Sequence, residues 1–176
     1  MPYRYNPSSH HLIAANNKIV DDHYTHFISR EWVDGYRAQR IAELLRSKGK
    51  HDLADFAAYQ GDLLSVAARE MAAHIAKLQP KDGRERRAVD LIRDWNHVLS
   101  SESGAAAVYE VFRQRMLHNT FAPKLGDLAG LFLGKGIHEL LPGNFYQVRV
   151  TSFLLRLMQE ADPAWFTAGT GGRRET

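Results

Sequence analysis

Apolar residues recur at helical spacing along most of the chain. From Trp32 to Arg46, the residues Val33, Tyr36, Ile41, Leu44 and Leu45 fall near one face, which predicts a helix that Gly49 then stops. A short helix is expected over His51–Ala58. A longer one is expected over Gly61–Leu78, with Leu64, Ala67, Ala68, Met71 and Ile75 on one stripe and Pro80 beyond its end. Arg84–Val98 gives another, with Ala88, Leu91, Ile92 and Trp95 on the inward side. Ser103 is placed to cap a helix reaching about His118, with Val108, Val111, Phe112 and Arg115 setting its spacing. Leu128–Leu141 is apolar but interrupted by glycine, and is read as a further helix. Tyr146–Ala161 turns Val150, Phe153, Leu154 and Leu157 inward.

The first residues break this pattern. Residues 1–10 carry Pro, Asn and Ser without periodicity and read as an extended lead-in. His11–Asn16 (HLIAAN) is the best strand candidate, followed by a polar turn over Asn17–Asp22. The expected organisation is therefore a lead-in and strand over 1–22, a helical region over 23–166, and a flexible tail over 167–176. The fold class is mainly α, with one or two short strands near the N-terminus.

Composition narrows the function. The 176 residues suffice for about one domain, and 44% are hydrophobic and 24% charged, as in ordinary globular proteins. The absence of cysteine excludes disulfides, thiolate metal sites and cysteine nucleophiles. The net charge is +3, and the Lys and Arg residues are scattered rather than gathered on one segment, which argues against a nucleic-acid partner. No run approaches the roughly twenty apolar residues of a membrane span. The opening MPYRYNPSSHH lacks the apolar run of a secretory signal.

Several motifs dissolve on inspection. His10, His11, His23 and His26 invite a metal, but no HExxH is present, and His138-Glu139 is followed by Leu140, Leu141 and Pro142. Gly130, Gly134 and Gly136 surround Lys135 at the wrong spacing for a phosphate loop. Asp21 and Asp22 supply too few oxygens for calcium. Neither a metal nor another cofactor is expected in this chain.

Two pairs carry more information. Asn16-Asn17 ends the apolar run; a carboxamide there is either a turn former or a donor to an oxyanion. Arg37 and Arg40, in GYRAQRIAELL, lie three apart and share a helix face. They are either two solvated arginines or a fork that orients a polar site.

Four segments in order resemble the penicillin acylase (penicillin amidase) family, which includes the acyl-homoserine lactone acylases. They are AANNKIVDDHYTHFISREW, GYRAQRIAELL, HDLADFAAYQGDLLSVAARE and LIRDWNHVLSSESGAAAVYEVFRQRM. Their order and spacing cover residues 6–118, and residues 119–166 resemble the family only loosely. The chain departs from the pattern at Trp95-Asn96, where the family often has Trp-Asp.

The resemblance implies an N-terminal-nucleophile hydrolase of αββα fold. In such an enzyme a serine freed by self-cleavage attacks an amide and its own α-amine serves as base. By position, Asn16 matches the asparagine that donates to the oxyanion, and Arg40 matches an arginine that supports the nucleophile. Arg37 fits the pattern without an assigned role. The nucleophile itself is not expected in this chain, since Ser8 and Ser9 are internal. The implied function is a fragment of an amidohydrolase that cleaves β-lactam amides or N-acyl homoserine lactones and is inactive alone. Its implied partners are a small-molecule amide and the remainder of the acylase chains. Calcium and a periplasmic or extracellular location belong, on this resemblance, to the complete bacterial enzyme. The alternative is a free-standing helical interaction protein.

Overall fold

The computed structural model describes residues 2–161 and 163–166. The expected tail over 167–176 lies outside the described residues. Contacts divide the chain into two compact units, residues 1–111 and 112–176.

The first unit is built from α1 (Tyr36–Arg46), α2 (Leu53–Gln60), α3 (Val66–Ile75), α4 (Gly83–Arg93) and the start of α5 (Gly104–Leu125). Short polar side chains fix where these helices begin. Asp52 and Asp55 form a reciprocal capping box on α2. The Ser65 hydroxyl accepts from Ala68 N at 3.1 Å, Asp82 accepts from Arg84 N and Glu85 N, and Ser103 accepts from Ala106 N at 3.1 Å. Buried apolar side chains come chiefly from α3, α4 and α5: Met71, Ile75, Val89, Ile92 and Tyr109, with Trp95 following α4.

Three helix boundaries shift from the sequence expectation through pairing between segments that carry no helix. Leu99 N donates to Leu63 O at 2.9 Å and Ser65 N to His97 O at 3.0 Å, so Leu64 and Val98 form an antiparallel bridge. Those bonds hold residues 63–65 and 97–99 out of helix, so α3 starts at Val66 rather than Gly61 and α4 stops at Arg93 rather than Val98. Likewise Val33 N donates to Asn16 O at 2.9 Å, in a parallel bridge of Asn17 with Val33, and α1 begins at Tyr36 rather than Trp32.

The strand expected over His11–Asn16 does not form. The segment is extended, but apart from that bridge no ladder flanks it among the described residues, and Asn16 turns the chain with φ +62°. A strand needs a neighbour for its amides and carbonyls, and a left-handed residue ends its extension.

The second unit holds the rest of α5, then α6 (Ala129–Phe132), the hairpin β1 (Lys135–His138) and β2 (Leu141–Gly143), α7 (Val150–Glu160) and α8 (Pro163–Phe166). α5 runs past His118 to Leu125, and Pro123 in its last turn has no N–H to donate to the Asn119 carbonyl. The single helix expected over Leu128–Leu141 is replaced by a 3-10 turn, α6 and the antiparallel hairpin. Glycine decides this: Gly134, inside that run, has φ of +105°, which a right-handed helix does not accommodate. α7 turns Val150, Leu154, Leu155 and Leu157 inward, and Phe121 is wholly buried against Phe132, Phe153 and Trp165.

Candidate active-site support

The two asparagines that end the apolar run do different work. Asn17 is the turn former: its Oδ1 accepts from Ala15 N at 3.1 Å and its Nδ2 donates to Lys18 O at 3.0 Å. Asn16 has no such local bonds among the described residues. Its left-handed backbone, which asparagine tolerates better than most residues, projects an exposed carboxamide. Arg37 Nη1 donates to Asn16 Oδ1 across 3.4 Å. A guanidinium can only donate, so this contact sets the carboxamide oxygen toward Arg37 and leaves Nδ2 directed away as a donor. Among the described residues, Nδ2 has no hydrogen-bond partner.

Arg40 stands nearly one turn further along α1 and has other partners. Its Nε and Nη2 form a two-pronged contact with the Asp62 carboxylate, both at 2.7 Å, and Nη1 reaches Glu43 Oε2 at 3.2 Å. Glu43 in turn accepts from Arg69 at 2.5 and 3.3 Å. The Asp62 carboxyl is held below its ordinary range by the Arg40 bond, and the Glu43 carboxyl by Arg69 first and Arg40 after it. The Arg40 guanidinium is held charged chiefly by the bond it donates to Asp62. Its charge is thus matched by two carboxylates, whereas the Arg37 guanidinium meets a neutral carboxamide.

Tyr36 begins the same helix. Its hydroxyl donates to Glu70 Oε2 at 3.0 Å, and burial, followed by the Glu70 charge, pushes its ionisation well above the ordinary phenol value. Tyr36 therefore remains a phenol donor. Asp34, just before α1, has its carboxyl pushed up by burial. Together with Ile41, Phe56 and Asp62, the residues Tyr36, Arg37 and Arg40 line a cleft of about 730 Å³.

The remaining candidates from the sequence are ordinary turns. Asp21 Oδ1 accepts from His23 N at 3.0 Å, and Asp22 pairs with Lys18. Among the described residues no three His, Asp or Glu side chains gather as metal ligands, and no helix is long and apolar enough to cross a membrane. The sequence reading passed over Asp62, Glu43, Arg69 and Glu70. A signal for them exists in the spacing of Tyr36, Arg40 and Glu43, at i, i+4 and i+7 on one helix face.

A profile of the penicillin amidase family matches residues 1–176. The chain belongs to the penicillin amidase family. Among curated relatives, it is 29% identical over 139 residues to the acyl-homoserine lactone acylase QuiP of Pseudomonas fluorescens (strain Pf0-1), covering 71% of this chain and 17% of that protein. It is 32% identical, with the same coverage, to the acyl-homoserine lactone acylase QuiP of Pseudomonas syringae pv. tomato. To the penicillin acylase 2 proenzyme of Pseudomonas sp. (strain SE83) it is 29% identical over 118 residues, 66% of this chain and 15% of that one. The chain therefore spans about 17% of the length of the first of these relatives. No solved structure was found to match it.

Proposed function

We propose that this member of the penicillin amidase family is the support segment of an amide hydrolase of N-terminal-nucleophile type, contributing an oxyanion donor rather than the attacking group. The observation that carries the reading is the Asn16 carboxamide, held through its oxygen by Arg37 with Nδ2 turned outward. When a nucleophile adds to an amide carbonyl, the oxygen takes on negative charge. A preoriented N–H that meets this charge stabilises the transition state by roughly 3 kcal/mol. The nucleophile is a serine at a processed N-terminus elsewhere in the enzyme. Its α-amine serves as base, with an ordinary pKa near 8 that suits neutral conditions.

Arg40 supports that chemistry at one remove. Its contacts run to Asp62 and Glu43, so its contribution is to hold α1 in place. The substrate class is a side-chain amide, of the β-lactam or N-acyl homoserine lactone kind that the relatives' names point to, and the partners are the remaining acylase chains. A complete bacterial enzyme of this kind works in the periplasm or outside the cell, and any calcium it holds is bound by segments other than these.

The test is turnover. The purified chain alone should leave chromogenic anilides and acyl-homoserine lactones intact, because covalent catalysis requires the missing nucleophile. In a complete amidase carrying this segment, Asn16→Ala should lower kcat. Turnover by the chain alone, lost on one point mutation, would show that a nucleophile resides in it and would sink this division of roles.

One feature favours a second reading, a helical interaction protein. α2 is apolar yet buries none of its residues, and Leu53 and Phe56 are 88% and 47% exposed. Stable, saturable binding of an unrelated protein through α2, with Asn16→Ala silent in a complete amidase, would favour it.

A further inference from the structure

α1 is an unusual helix to find in a fixed orientation, because hydrophobic burial does little to hold it. Of its eleven residues only Ala42 is buried, and Ile41 remains 36% exposed. A helix with so narrow an apolar contact is free to roll about its axis unless something else pins it. Here the pins are polar, and all reach the stretch from Asp62 to Glu70. Tyr36 Oη donates to Glu70 at 3.0 Å, Arg40 grips Asp62 through two bonds at 2.7 Å, and Glu43 accepts from Arg69 at 2.5 Å. Residues 36, 40 and 43 are spaced at i, i+4 and i+7, so the three pins form one seam along a single face of α1 against the start of α3.

Arg37 directly follows the first pin. Rolling α1 moves its guanidinium relative to Asn16, which is attached to the helix through one long side-chain bond at 3.4 Å and, before the helix begins, through Val33 N. We infer that Asp62, Glu43, Arg69 and Glu70 are positioning residues: their seam sets the roll of α1, and with it the aim of Arg37 and the orientation of the Asn16 carboxamide. The Asp62–Arg40 pair carries most of this role, since a two-pronged guanidinium–carboxylate contact fixes direction as well as distance. Its catalytic meaning rests on the amidase reading above; its geometric content does not.

The experiment uses the isolated chain, labelled with 15N and 13C. The side-chain NH2 pair of Asn16 is identified by its disappearance in Asn16→Ala. Arg37→Gln should shift that pair toward the position of a freely solvated carboxamide. Asp62→Asn should shift it the same way by at least about half as much, although Asn16 and Asp62 share no contact, and Asp62→Glu should restore most of the original position. The Met71 and Ile92 methyl signals, which report the core of the unit, should stay in place throughout.

A folded Asp62→Asn variant with the Asn16 pair unmoved would overturn the proposal, as would an Arg37→Gln variant that leaves it unmoved. If Asp62→Asn unfolds the unit, Glu43→Gln decides in its place: it removes the charge that holds Arg69 and part of Arg40, and the same shift or its absence gives the answer. The measurement involves no turnover. A failed shift therefore leaves the amidase reading standing, and a catalytically silent Asn16 leaves the seam standing. In a complete amidase, Asp62→Asn should lower kcat by about tenfold with KM unchanged, since misaiming a donor costs transition-state rather than ground-state binding.

Discussion

Arg37 Nη1 lies 3.4 Å from Asn16 Oδ1 and fixes which end of that carboxamide faces outward. The bond joins a helix to the end of an extended segment 21 residues earlier in the chain. In a complete amidase, Asn16→Ala should therefore lower kcat by roughly a hundredfold with little change in KM, beside a small loss of stability from placing alanine at a left-handed backbone. Steady-state kinetics with a chromogenic amide measure it, and an unchanged kcat would return Asn16 to the status of a turn residue.

Arg40→Ala should behave differently. It leaves the Asp62 carboxylate, which is only about one-fifth exposed, without its bidentate partner. We expect a modest loss of stability together with slower turnover, because the side chain lines the cleft and its head holds the seam. Urea melts beside kcat would separate this mixed signature from the mainly kinetic loss at Asn16.

Acid should loosen the first unit. The ordinary values of Asp62 and Glu43 are 3.8 and 4.5, and both are lowered in the folded chain, by Arg40 and by Arg69 respectively. The stability they contribute is fully present above those ordinary values and is lost as pH falls through the lowered ones. His97 adds a milder trend: burial, then the Arg69 charge, lowers it from 6.5, so its contribution is present above 6.5 and declines below. Asp34, pushed up by burial, opposes the carboxylate trend in part. Relative to the intrinsic exchange rate at each pH, protection of the α3 amides should fall slightly below pH 6.5 and steeply below about 4. Asp62→Asn should flatten the acid limb; a profile that stays flat in the parent chain would contradict this.

Gly136→Ala should destroy the hairpin and little else. A methyl group at Gly136 would fall on the Leu141 carbonyl oxygen, a backbone atom that cannot swing aside. Exchange protection of Asn144 N, which donates to Gly134 O at 2.9 Å, should vanish while the helical circular dichroism is retained. Gly49→Ala meets nothing within 4 Å and serves as the silent control.

Phe121→Ala should cost the second unit about 3–5 kcal/mol, the usual result of emptying a buried aromatic site. Phe121 is 0% exposed and its ring lies 4.9 Å from Phe132, 5.5 Å from Phe153 and 5.3 Å from Trp165. Urea unfolding followed by tryptophan fluorescence would measure it. Val111→Ala, at a position 63% exposed, should stay within about 0.5 kcal/mol of the parent.

Consecutive residues are enough to show that the chain is mainly helical, roughly where α1 to α5 and α7 lie, and which family it joins. These are local matters: apolar spacing, caps such as Ser103, and four ordered segments are all written in consecutive residues. The sequence also singles out Asn16, Arg37 and Arg40. What these residues touch depends on the packing of segments far apart in the chain. The apolar run at His11–Asn16 looks like a strand, but a strand is a relation between two segments, and here Asn16 instead turns the chain and binds Val33 N. The glycine-broken run at Leu128–Leu141 looks like a weak helix until Gly136 lets the Leu141 backbone close over it as a hairpin. Arg37 and Arg40 are equivalent in the sequence, three apart on one face. Their division of labour, one to the Asn16 carboxamide and one to the Asp62 carboxylate, depends on partners 21 and 22 residues away in opposite directions along the chain, and no local pattern encodes a distance between segments.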